Sequence, residues 1–293
     1  MNAGKACLFC GRVLLPKRVK HGGKTDEHII PQWLIDLLDI RGKQIAPALH
    51  NVQTGVLLGR RQHTVGRFLA GAVCATCNNG WMSSLEDQAK PILTRLIADQ
   101  NELVNLTDPE RVTIARWTVK TAAIMNRVGP GSDPKYSNTR PVPDEHLRSL
   151  HFGSMPDGVV VVGGGYKSDD PLEFMESWYW PSASVSLKEE DKDRSYKIGF
   201  AFRGLMLAVA YFPNPEYVYG VFEGMYVPLW TGTRGVRRLQ LPLKNLPPVT
   251  PCPMIEGFLD NIWALSRIWL EIVDNVSTTK LIQIPGTHSK QGS

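Results

Sequence analysis

The chain has 293 residues, 43% of them apolar and 21% charged, which is the composition of a folded globular protein long enough for one large domain or two ordinary ones. It lacks both the roughly 18 to 20 uninterrupted apolar residues of a membrane helix and an apolar signal segment at its start, so a cytoplasmic protein is expected. The formal charge of +5 is unevenly spread: residues 1–100 carry 13 Lys and Arg against 7 Asp and Glu, so only that part is basic, as a polyanionic partner such as nucleic acid requires.

A first unit is expected over residues 1–104. It opens on the pair Cys7-Leu8-Phe9-Cys10. Lys17, Arg18, Lys20 and Lys24 then lead into a short strand ending at His28-Ile29-Ile30. Pro31 permits a helix start, Trp33, Leu34, Leu37 and Leu38 give that helix an apolar face, and Arg41-Gly42 ends it. A loop or hairpin over 51–64 follows, with Arg60, Arg61 and Arg67 adding to the basic set. The second pair, Cys74-Ala75-Thr76-Cys77, runs straight into Asn78 and a helix with Met82, Leu85, Ala89, Leu93 and Leu96 at helical spacing and a kink at Pro91.

The second unit, 105–293, reads as α+β with an antiparallel sheet. A helix over 105–128 has Asp108 and Pro109 at its start and Val112, Ala115, Val119 and Ala122 on one face. The Pro-, Gly- and Ser-rich stretch 129–143 is the linker-like segment of the chain. Strand-like runs cover 159–162, 178–185, 196–202, 207–212 and 217–222, with a helix as the alternative over 205–211. The run from Val159 into Gly163-Gly164-Gly165 lacks the spacing of a phosphate-cradling loop and is expected to be a tight turn. A long C-terminal helix over 254–273 closes the chain. Among the three roles open to this unit, substrate positioning, dimerisation and sensing of a regulatory partner, the sequence does not choose.

Four of the five cysteines sit in the two pairs, leaving Cys252 as an isolated thiol. In a reducing compartment two such pairs point to one structural zinc ion held by Cys7, Cys10, Cys74 and Cys77 rather than to disulfides. Between the pairs, Glu27 directly precedes His28 at a strand end. A carboxylate there can hold a divalent cation while the imidazole activates a water as general base. Asn78, fixed one residue after a cysteine, offers an amide oxygen that suits a hard ion such as Mg²⁺ or Mn²⁺. Asp26 replaces Glu27 if the strand register moves by one, and Asn79 is the alternative to Asn78.

These residues, Cys7/Cys10, Glu27-His28-Ile29-Ile30-Pro31 and Cys74/Cys77-Asn78, resemble the HNH (His-Asn-His) endonucleases over the first third of the chain. The resemblance implies a ββα-metal core with structural zinc, His28 as general base, and Glu27 and Asn78 as Mg²⁺ ligands. It further implies hydrolysis of phosphodiester bonds in nucleic acid, DNA before RNA, and stand-alone proteins of this kind often act in defence or mobile elements. One such site cuts one strand per engagement, so double-strand cleavage needs a dimer or a second visit. Two departures accompany it: 45 residues separate His28 from Cys74, and the middle Asn of the motif has no clear counterpart, Asn51 being the candidate with His50 and His63 as rivals. The competing expectation is a non-catalytic, zinc-stabilised module that binds nucleic acid or protein.

Overall fold

A computed structural model describes residues 6–17, 19, 22–45, 48–50, 57–60, 63–128, 142–165, 171–177, 194–222, 226–233, 235–239, 270–274 and 281–282. Arg18, Lys20, Asn51, Arg61, Cys252, the linker positions 129–141, the strand expected over 178–185 and the closing helix over 254–269 lie outside those residues.

The first cysteine pair forms a turn closed by Gly11, whose N–H donates to the Cys7 carbonyl at 3.0 Å and whose φ of 71° suits a residue without Cβ. Strand β1 (Lys24–His28) follows, then helix α1 (Gln32–Leu38), which buries Leu34, Ile35 and Leu38. The helix stops at Asp39, in the left-handed conformation with φ 56°, shortly before the expected Arg41-Gly42. Two small antiparallel pairs come next: β2 (Gln44–Ile45) joins β5 (His63–Thr64), and β3 (Ala48–His50) joins β4 (Leu57–Arg60). Strand β6 (Leu69–Cys74) returns antiparallel to β1.

The chain then enters the short helix α2 (Ala75–Cys77), a wide π-type turn (Asn78–Met82) and helix α3 (Ser83–Ala98). The backbone leaves helical geometry at Gly80 (φ −99°, ψ −113°), whereas α3 runs through Pro91, so the expected kink is displaced to the glycine. Gly80 has no Cβ to resist such torsions. Two antiparallel strands and a following helix therefore form the N-terminal frame, with residues 29–68 inserted between the strands.

Helix α4 (Asp108–Val128) begins at Asp108-Pro109 as expected, and α5 (Asp144–His151) follows. The remaining strands among the described residues are β7 (Val159–Gly165), β8 (Leu172–Ser177), β9 (Tyr196–Phe202), β10 (Leu205–Tyr211), β11 (Tyr217–Phe222), β12 (Tyr226–Trp230), β13 (Val236–Leu239), β14 (Leu270–Asp274) and β15 (Leu281–Ile282). They build an antiparallel five-stranded sheet, β12-β7-β10-β9-β8, and a four-stranded sheet, β14-β11-β13-β15, in which β11 and β13 run parallel. Several expectations are corrected. Residues 270–273 pair with β11 instead of ending a helix, whereas 205–211 form the strand expected there and not its helical alternative. The glycines after Val162 are not a turn: they continue β7, and a Cβ on Gly163 would stand 2.8 Å from Leu103 Cδ2.

Why Val159 to Val162 read as an unbroken apolar run is explained by burial on both faces. Val160, Val162, Met206 and Ala208 meet Tyr219 and Val221 of the second sheet, while Val159, Val161, Leu207 and Phe200 join the helices. The latter cluster extends without interruption from Phe9 and Ile30 through Leu93 and Trp117, so residues on both sides of position 104 share one core.

Candidate functional site

Four sulfur atoms gather first. The ligand atoms of Cys7, Cys10, Cys74 and Cys77 all lie within 4.8 Å of one another, with Cys10 Sγ and Cys74 Sγ 3.7 Å apart. A tetrahedron with Zn–S bonds of about 2.3 Å has edges of about 3.8 Å, so the set fits one zinc ion and is far too open for a disulfide. Local folding holds it in place. The Leu8 N–H donates to the Ala72 carbonyl (2.9 Å), tying the first turn to β6, while the Cys74 and Cys77 N–H groups point at Cys7 Sγ and Cys74 Sγ, each at 3.4 Å. The sulfurs cannot all ionise in one another's company. Cys77, facing Cys7 and buried, is pushed well above the usual thiol range. A bound divalent ion removes that conflict. His151 Nδ1, at the end of α5, lies 3.8 Å from Cys77 Sγ, and Trp81 stacks edge-on against Phe9 with ring centroids 5.0 Å apart.

Next to this clasp lies a polar cluster. Strand β1 shifts register against β6 between Thr25 and Glu27, and it turns Glu27 inward, 7% exposed, while Asp26 faces solvent. Burial pushes the Glu27 carboxyl up to about 7, the nearby Glu86 charge adds to this, and Lys120 together with the Asn78 side chain, within hydrogen-bonding reach, oppose it. Asn78 is half-buried at the start of the wide turn, so the cysteine that precedes it sets its distance from β1. Asn79 is exposed.

His28 is half-buried beside them. Burial lowers its pKa, and its ring lies within hydrogen-bonding reach of the Gly66 carbonyl, which counteracts the shift. A ring N–H given to that carbonyl fixes the tautomer and leaves the other nitrogen free to take a proton. Both Glu27 and His28 feel the Glu86 charge, which brings all three into one neighbourhood.

Two of these groups escaped the sequence reading. Glu86 lies on α3, and its Oε1 accepts from Lys120 Nζ at 2.6 Å. Lys120, on α4, has a side chain with 0% exposure, and its ammonium also stands 6.0 Å from the Trp117 ring centroid. The signal was available: Lys120 is the only charged residue between Arg116 and Arg127, and a lone charge in such a helical stretch marks a buried, paired cation.

The other expected residues are dispersed. Asp26 is bound to Lys17 Nζ at 2.6 Å, both exposed. His63, on β5, packs on Phe68 with ring centroids 5.0 Å apart. His50 and Arg60 belong to the β3–β4 hairpin, where the backbone alone is described. Lys24 is half-buried along Gly71, and Arg67 is exposed one residue after Gly66. No helix among the described residues is long and apolar enough to cross a membrane. No family model matches the chain, and neither the curated proteins nor the solved structures contain a match to it.

Proposed function

We propose that the chain is a metal-dependent endonuclease of the HNH kind, acting on phosphodiester bonds of nucleic acid, with DNA favoured over RNA. The observation that carries this reading is the meeting of Glu27 and Asn78 beside His28 at the junction of the β1–β6 pair and the helix that follows the second cysteine pair. Glu27 and Asn78 would hold a divalent cation, which would supply charge neutralisation at the phosphate and at the leaving 3′ oxygen. His28, kept neutral near pH 7 and oriented by the Gly66 carbonyl, takes the proton from the attacking water. The four cysteines hold a structural zinc ion whose part is to fix Asn78 against β1. Exposed Arg67 and half-buried Lys24 lie close enough in sequence to these elements to meet the backbone of a bound strand.

The test is incubation of the purified full chain with plasmid DNA and with RNA, with and without Mg²⁺ or Mn²⁺, beside a His28→Ala variant. Cleavage that needs the metal and disappears in the variant supports the proposal. Binding without cleavage under every condition supports the non-catalytic zinc module instead.

A further inference from the structure

Burying an ammonium costs several kcal/mol unless it is paired, and a fully apolar side chain would pack α4 against α3 without that cost. The chain nonetheless places Lys120 at 0% exposure, on a helix whose residues 117–126 are all buried, with Glu86 Oε1 at 2.6 Å. Its charge reaches beyond Glu86. The Glu27 carboxyl, itself within reach of Asn78, responds to both Lys120 and Glu86. Helix α4 packs on β6, whose Ala70 pairs with Glu27, so Lys120 and its partner Glu86 lie on the side of the proposed cation site, and α4 also packs on β7, β10 and β12 of the five-stranded sheet.

We infer that Lys120 is a positioning residue of the cation site: a fixed internal counter-charge that holds Glu86 beside Glu27 and Asn78 and restricts the site to a single divalent ion. This rests on the nuclease reading above. With both carboxylates ionised, the pair Glu27 and Glu86 and the Lys120 ammonium sum to one negative charge. One divalent ion turns that into one positive charge, which suits an anionic phosphodiester, whereas a second would leave three positive charges in a largely buried site. Metal-dependent chemistry at Glu27 thereby becomes tied to a helix from beyond residue 104, and the C-terminal sheet supports the site through α4.

The test is Mn²⁺ binding to the full zinc-bearing chain, read from the electron paramagnetic resonance signal of free Mn²⁺, which gives affinity and stoichiometry without reference to cleavage. Wild type should bind one ion. Lys120→Met removes a positive charge from beside the ion and should tighten binding about tenfold, while cleavage at saturating Mn²⁺ falls because Glu86 is no longer held. The double variant Glu86→Gln/Lys120→Met keeps the wild-type net charge but lacks the second carboxylate, and it should bind about tenfold more weakly than wild type. Should Lys120→Met not fold, the double variant decides alone, since it removes the buried ammonium together with the carboxylate hydrogen-bonded to it. Affinities of both variants equal to wild type, with cleavage unchanged, would reduce Lys120 to a packing residue and overturn the inference. Wild type that binds no Mn²⁺ overturns the cation site itself, and the nuclease reading with it.

Discussion

Replacing Glu27 by Gln tests the inward carboxylate most sharply, because the substitution keeps its shape and removes its charge. In the folded protein without added divalent cation the carboxyl titrates at about 7, against 4.5 for the free group. Burial is the chief cause, so the charged form is the disfavoured one. The folded pKa lies above the unfolded one, so Glu27 weighs nothing against folding below about pH 4.5, and stability is lost as pH rises to about 7. At about 1.4 kcal/mol per unit, the full loss is about 3 kcal/mol above pH 7. Urea melts of wild type and Glu27→Gln between pH 4 and pH 8.5, without added Mg²⁺ or Mn²⁺, should therefore diverge in favour of the variant by up to that amount. Adding Mg²⁺ at pH 8 should close the gap from the wild-type side, by about 2.7 kcal/mol at a hundredfold excess over its Kd, and leave the variant unmoved. A difference between the two proteins that stays constant across this pH range would refute the buried carboxyl, and a variant stabilised by Mg²⁺ as much as wild type would refute its role as ligand.

Other perturbations separate neighbouring groups. Asp26→Asn should change stability by less than about 1 kcal/mol and leave cleavage intact, since its ion pair with Lys17 is exposed; a pH-dependent gain in melts, or a loss in a plasmid assay, as large as that of Glu27→Gln would mean the strand register is wrong. His28→Ala should bring cleavage below detection, a loss of about 10²-fold or more, while nucleic-acid affinity, measured by filter binding, stays within a few-fold of wild type. Cys77→Ser should release zinc, counted by a colorimetric chelator, and lower the melting temperature, because the fourth ligand joins β6 to the helix carrying Asn78; full zinc content in that variant would contradict the four-sulfur site.

The four-cysteine part of the candidate site was legible because its determinants are local. A Cys-x-x-Cys turn, a carboxylate next to a histidine, and an asparagine directly after a cysteine are short-range patterns with chemical meaning, and the cysteine sulfurs do converge. Glu27 was named with Asp26 as its register alternative, and which of the two faces inward was not legible, since that depends on a register shift against β6, a strand more than 40 residues away in sequence. Lys120 and Glu86 were passed over for a related reason. Each sits on a helix whose apolar periodicity is satisfied without it, and only the packing of α3 on α4 brings them together. In the C-terminal half, 270–273 continue a helical apolar spacing yet pair with β11, because Leu270 and Ile272 suit either period and a non-local partner decides between them. The glycines of β7 read as a turn because the close approach of Leu103 that they accommodate comes from elsewhere in the chain.

The nature of the cleaved ends is the most direct measure of the central claim. A water activated by His28 and a leaving 3′ oxygen stabilised by the cation yield 5′-phosphate and 3′-hydroxyl termini. End-labelling of products formed by the wild-type chain with Mg²⁺ should find those termini, and none without the metal or in the His28→Ala variant. Equal cleavage by wild type and variant, or 2′,3′-cyclic phosphate ends on RNA, would contradict it.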